Sequence, residues 1–292
     1  MTTDALLPPS GLRERVLTAA RNARPVGRPL PPLPPISPVE ALRRAVEDFD
    51  SLLSALNEEE WHSPTPIRGL TVQGVVGHLI GVEEHVQRAL SGDPEMADID
   101  HIAGTQDEAV RQTVRPVEQT RRAWREAADR TLALAAEADL GQVVKLYGRV
   151  LPVGGWLIVR AFEDWIHADD NRAAIGLPAT VPDTPSLRLM TDLVARALPN
   201  GVARVPGGST PVNLHLVLTG PGGGAWDVPI GGHRGDSPDQ EVPETLVVAD
   251  AVDFCQLAAK RLPPDDIKAY VTGAVDQAAR IFAAAATLSM DE

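Results

Sequence analysis

Residues 154–176 read GGWLIVRAFEDWIHADDNRAAIG. Trp156, Leu157, Val159, Phe162, Trp165 and Ile166 are large and apolar and cover most of a helix's circumference, so this helix is expected to be buried nearly all round. Arg160, Glu163, His167 and Asp170 follow one another at steps of three, four and three, which stacks them in one column on one face. Charges in a buried column must be satisfied by partners or by a bound ion, because an unpaired buried charge is costly. Glu163 and His167 lie one turn apart and can converge on one point. A carboxylate and an imidazole so placed supply two members of a His₂Glu metal site. The same spacing also fits a buried Glu–His hydrogen bond, with Arg160 and Asp170 completing an ion-pair network, and for an isolated pair that is the commoner arrangement.

Three more long helices surround this one. Ser37-Pro38-Val39-Glu40 joins an N-cap serine, a proline at the first helical position and a capping-box glutamate. Leu42, Val46, Phe49, Leu52, Leu53 and Leu56 then mark an apolar face. A second helix opens at Thr71 and stops near Gly92. A third runs over roughly 115–138 and carries Trp124. With 153–175 these read as a four-helix bundle. In the second helix, His78 sits on the border of the stripe formed by Val72, Val75, Val76, Leu79, Val86 and Leu90, with Gly74, Gly77 and Gly81 allowing close approach of a neighbour. Pattern alone makes His78 a satisfied border histidine. His85, seven residues on, is the alternative ligand, and Glu83 lies within the apolar arc.

Beyond Gly176-Leu177-Pro178 the pattern changes. A helix over 186–198 precedes an alternating strand at 212–218, a turn at Gly220–Gly224 and strands at 225–230 and 245–248. Helices follow at about 250–261 and 265–287. The expected fold class is α+β: an arm (1–36), a helical bundle (37–180) and a small α+β domain (181–292). The arm carries a proline-rich stretch, RPLPPLPPISP, after a short amphipathic helix over 11–23. The glycine run is a hairpin turn and not a phosphate loop, since no Lys-Ser/Thr follows it.

Composition removes several classes of function. The 292 residues suit two domains at about 150 each. The net charge of −13 argues against nucleic acid, whose binders need a basic footprint. No run of about 20 apolar residues is present to span a membrane, and the N-terminus lacks the pattern of a signal peptide. The expectation is a cytoplasmic protein, monomer or homodimer. One cysteine, Cys255, excludes an internal disulfide and any cysteine-rich metal site; in its apolar helical run it reads as core. Any metal must be held by His, Asp and Glu. His62, His101 and His233 stand in polar contexts and read as surface. Arg234 and Arg261 are candidates to bind an anionic substrate between the domains.

The segments GLTVQGVVGHLIGVEEH and VRAFEDWIHADDNRAAIG together resemble the second-helix and fourth-helix motifs of the DinB-like, mycothiol-dependent maleylpyruvate isomerase family. VNLHLVLTGPGGGAWDVPI and ADAVDFCQLAAKRL resemble that family's small C-terminal domain. The likeness covers roughly residues 37–290. It implies a DinB-like bundle holding one divalent metal, usually zinc, with His78, Glu163 and His167 as ligands. Asp170 matches the motif's acidic position, and we assign it and Arg160 to outer-sphere support of the ligands. Three protein ligands leave one coordination position open, the usual condition for catalysis. The resemblance implies mycothiol as cosubstrate and a small electrophilic substrate, to which the thiol is transferred or which it isomerises. Two other readings stay open: a non-catalytic metal-binding regulatory or accessory module, and a metal-dependent hydrolase with Glu83 or Glu84 as base.

Overall fold

A computed structural model describes residues 34–67, 69–206, 211–230 and 244–289. The expected arm helix over 11–23, and Arg234 and His233, lie outside the described residues.

Helix α1 (Pro38–Ala55) starts as its sequence demands: Ser37 Oγ accepts from the Glu40 amide at 3.1 Å, with proline just inside the start. Glu40 departs from the expected capping box. Its carboxylate turns forward onto Arg43 and Arg44 one turn along. A single turn, α2 (Glu58–Trp61), leads to α3 (Val72–Leu90), capped by the Thr71 hydroxyl on the Gly74 amide. Helices α4 (His101–Gln112), α5 (Val117–Glu137) and α6 (Val153–Ala174) follow. Helices α1, α3, α5 and α6 form the expected bundle around Leu42, Phe49, Leu79, Trp124 and Trp156, all buried.

Helix α4 and a β-hairpin before α6 were not expected. Helix α4 lies along α3, and the contact is tight. A Cβ at Gly77 would stand 2.9 Å from Ala109 Cα, and one at Gly81 would stand 3.0 Å from the Thr105 methyl. The glycines thus do allow the close approach read from the sequence, and the neighbour they admit is α4. The second element is a hairpin of β1 (Val143–Leu146) and β2 (Arg149–Pro152). Its two-residue turn puts Tyr147 at φ 53° and Gly148 at φ 69°, the left-handed pair that matches the twist of a tight hairpin. Trp156 Nε1 donates to the Val144 carbonyl at 3.1 Å and fastens the hairpin to α6.

Helix α7 (Thr184–Val202) is shared between two cores. Leu187 and Met190 pack with the bundle; Val194, Leu198 and Val202 pack with the second core. The latter is built on a four-stranded sheet ordered β4-β3-β5-β6, from β3 (Val212–Thr219), β4 (Gly224–Ile230), β5 (Glu244–Asp250) and β6 (Ala269–Gly273). Strand β3 pairs antiparallel with β4 and parallel with β5, and β6 runs antiparallel to β5. Helices α7, α8 (Ala251–Ala258) and α9 (Val275–Ala286) pack against the strands. The helix expected over 265–287 is corrected to a strand followed by a shorter helix. Tyr270, Val271 and Thr272 favour the extended chain, and Gly273 at φ 92° ends it. Gly220–Gly224 forms the β3–β4 turn, as expected. Cys255 is buried in the core, where desolvation pushes its thiol pKa far up. Among the described residues no helix is long and apolar enough to cross a membrane.

Candidate metal centre

The polar column of α6 faces α3 and α4. His78 from α3 and His167 from α6 approach edge to face with ring centroids 5.4 Å apart. His101, the first residue of α4, stands 5.0 Å from His78 by the same measure, and its Nε2 is 3.5 Å from Glu163 Oε1. His78 and His167, from two helices far apart in sequence, thus face each other, and Glu163 reaches them through His101. His101 is buried among them, which corrects its assignment to the surface.

The hydrogen bonds place a proton on Nδ1 of both imidazoles. Thr105 Oγ1 donates to the His101 carbonyl at 2.9 Å, so its oxygen accepts from His78 Nδ1 at 2.7 Å. His167 Nδ1 donates to Asp170 Oδ2 at 3.0 Å, since an ionised carboxylate only accepts. In a neutral ring each Nε2 then carries the lone pair, the form in which histidine binds a metal. Burial alone would raise the Asp170 pKa, but hydrogen bonds from His167 and Arg261 outweigh it and hold the carboxyl below its ordinary value.

Arg160 organises the acidic side. It is 1% exposed and reaches Glu83 Oε1 through Nε at 3.1 Å and Nη2 at 2.9 Å. It also bonds Asp164 Oδ1 at 2.9 Å and holds Glu163 through Nη1. One guanidinium therefore faces three carboxylates. Burial works against the Arg160 charge, yet Glu83, Asp164 and Glu163 together keep it firmly ionised. Burial pushes the Asp164 carboxyl up to about 7, against the pull of Arg160. The surplus of negative charge suits a further cation at Glu163. Arg160 and Asp170 thus both touch an expected ligand. Glu83 is buried and locked to Arg160, whereas Glu84 is exposed.

Arg261 donates to Asp170 from Nε at 2.9 Å and Nη2 at 2.8 Å. It clamps the partner of His167 and is not part of the cavity wall described below. His85, the alternative ligand, pairs with the Tyr147 hydroxyl at 3.0 Å. The Tyr147 ring also stacks edge to face on His101 at 4.7 Å. Desolvation raises the Tyr147 pKa and lowers that of His85 to about 4, so the phenol donates and the neutral imidazole accepts. Thr105, His101 and Tyr147 are the residues of this centre that the sequence reading missed. Among the described residues, no three His, Cys, Asp or Glu side chains are drawn together as a bound metal would hold them. The donor types and their fixed tautomers nonetheless fit a zinc-type ion.

A cavity of about 580 Å³ opens beside the centre, with Glu163 and His167 in its wall. That is an ordinary size for a small-molecule site.

Residues 42–172 match the family described as mycothiol maleylpyruvate isomerase N-terminal domain. Two uncharacterized proteins of Mycobacterium tuberculosis, from strains CDC 1551 and H37Rv, are each 27% identical over 232 residues, covering 76% of this chain and 84% of theirs. The crystal structure of the mycothiol-dependent maleylpyruvate isomerase matches with a TM-score of 0.56 at 17% identity, over 80% of this chain and 91% of that one. A structure of a single-site mutant of that isomerase matches with a TM-score of 0.55 at 16% identity. At these identities the structural likeness speaks for the fold.

Proposed function

We propose that this chain, whose residues 42–172 match the mycothiol maleylpyruvate isomerase N-terminal domain, is a zinc-dependent enzyme. It activates a small thiol, mycothiol by likeness to the mycothiol-dependent isomerase, against a small electrophile. His78, Glu163 and His167 are the proposed ligands. The observation that carries the reading is the pair of committed Nδ1 atoms, His78 to Thr105 and His167 to Asp170, beside a carboxylate next to a cavity. A zinc ion held there supplies Lewis acidity that keeps a bound thiol as the thiolate at neutral pH.

The chain's own residues do the rest. Thr105 and Asp170 hold the two rings in register. Arg160 holds the Glu163 carboxylate in the cavity wall. Trp156, Phe162 and Ile166 give the cavity an apolar wall beside Glu163 and His167. The thiol proton leaves to solvent, and the sulfur's electron pair forms a C–S bond to the electrophile. In transfer, a leaving group departs with its bonding pair, or a proton completes addition to an alkene. In isomerisation, the C=C π pair moves onto the substrate's conjugated carbonyl oxygen as the C–S bond forms, the adduct rotates about the former double bond, now a C–C single bond, and return of that pair re-forms the C=C as the C–S bond breaks and releases the thiolate.

The test is turnover across a panel of electrophiles, including maleylpyruvate and a chlorinated dinitrobenzene, with mycothiol, other thiols or none. Mycothiol-dependent turnover is expected. Turnover without any thiol would indicate the hydrolase, and none in any mixture a non-catalytic module.

A further inference from the structure

The cavity has a composition that the thiol chemistry does not account for. Its wall is largely apolar, with Val150, Leu151, Val159, Leu193, Val194 and Ala197 contributing from β2, α6 and α7. Arg149 and Arg204 also line it. Neither guanidinium forms an ion pair with a carboxylate among the described residues. They lie close enough that, after desolvation, Arg204 is the chief influence lowering the Arg149 pKa. Glu163, in the same wall, acts on Arg149 in the opposite sense, but without a direct ion pair it leaves both guanidinium groups open to a further anion.

Both forks are held by backbone carbonyls. Arg149 donates from Nη1 to the Leu288 carbonyl at 2.8 Å and from Nη2 to the Ser289 carbonyl at 3.2 Å; Arg204 donates from Nη1 to the Thr287 carbonyl at 3.0 Å. These bonds hold the side chains against the C-terminal end of α9 without neutralising them. A guanidinium carries five N–H donors, so each fork keeps donors for an anion, and a carboxylate or sulfonate suits them best.

We propose that this cavity binds an electrophile with a mostly apolar body and one anionic group, the anion held between Arg149 and Arg204. The far end of the molecule then meets Glu163 and His167. The proposal rests on the reading above only for the chemistry at that end; the binding stands by itself.

The test uses the full-length protein and two probes of nearly equal shape, 1-naphthaleneacetate and its uncharged amide. Each is titrated by quenching of tryptophan fluorescence, which Trp156 in the wall reports. The acid should bind at least about tenfold tighter than the amide. In the Arg149→Gln/Arg204→Gln double variant the acid should fall to the amide's affinity while the amide is unchanged. Ala197→Trp, which fills the cavity, should abolish both. Equal binding of the two probes by the parent protein, a preference that survives in the double variant, or quenching that survives Ala197→Trp would overturn the proposal. Should the double variant also lose the amide, Arg204→Gln alone decides at its exposed position: acid binding weakened at least about threefold supports the proposal, and unchanged binding overturns it. No readout uses metal, thiol or turnover, so this result and the thiol reading can fail separately.

Discussion

Arg261 grips Asp170 through two hydrogen bonds, of 2.9 and 2.8 Å, and Asp170 in turn orients His167 at 3.0 Å. The chain that closes the second core thus reaches back to set a ring in the bundle. Removing such an outer partner commonly weakens metal binding by about 10–100-fold. Arg261→Ala should do so in a zinc competition titration against a chelator, with Arg261→Lys intermediate. Unchanged affinity in Arg261→Ala would show that Asp170 holds His167 unaided.

Arg160 pairs with all three of Glu83, Glu163 and Asp164 in the buried network. Arg160→Met leaves those carboxylates facing one another without it. A loss of about 3–5 kcal/mol is expected, as for other broken buried pairs, read from the urea midpoint. Glu83→Gln removes one negative charge from a cluster that has a surplus, and should cost clearly less.

Gly77 has no room for a side chain, since a Cβ would stand 2.9 Å from both Ala109 Cα and Gln112 Cβ. Gly77→Ala must push α4 outward. Overpacking of this kind costs about 1–3 kcal/mol, even though alanine is the better helix former. A stability gain in thermal unfolding would contradict the packing described.

His85 offers a pH test away from the proposed ligands. Burial, followed by the charges of His101 and Arg88, lowers its pKa from 6.5 to about 4. The unfolded chain therefore binds the proton first. Stability from this group is fully present above pH 6.5 and is lost as pH falls towards 4. A loss on the order of 1–2 kcal/mol is expected across that window, allowing for partial solvent screening. His85→Gln should flatten it in urea titrations at pH 4.5 and 7.

The bundle was legible because α1, α3, α5 and α6 repeat large apolar residues at helical spacing. Helix α4 was not, because its buried face is His101, Thr105, Glu108, Ala109 and Gln112. That face keeps helical spacing, but polar residues write it, so a search for apolar stripes passes over it. With α4 went His101, and with it the partner of His78, Thr105. The Asp100 side chain on the Ala103 amide was the available signal for that helix start. Tyr147 was hidden for another reason: only the hairpin carries it to His101, and its left-handed backbone is rare for a tyrosine. The fourth-helix column, by contrast, could be read directly. Steps of three, four and three need no tertiary information to place Arg160, Glu163, His167 and Asp170 together.

The proposed function requires that His78, Glu163 and His167 hold one metal ion. Elemental analysis of the purified protein, beside His78→Ala, Glu163→Gln and His167→Ala, tests it most directly. The expected result is about one zinc per parent chain and little in any of the three variants, each still folded by circular dichroism. Full metal content in His167→Ala, or a parent protein that takes up no zinc when supplied with it, would contradict the claim.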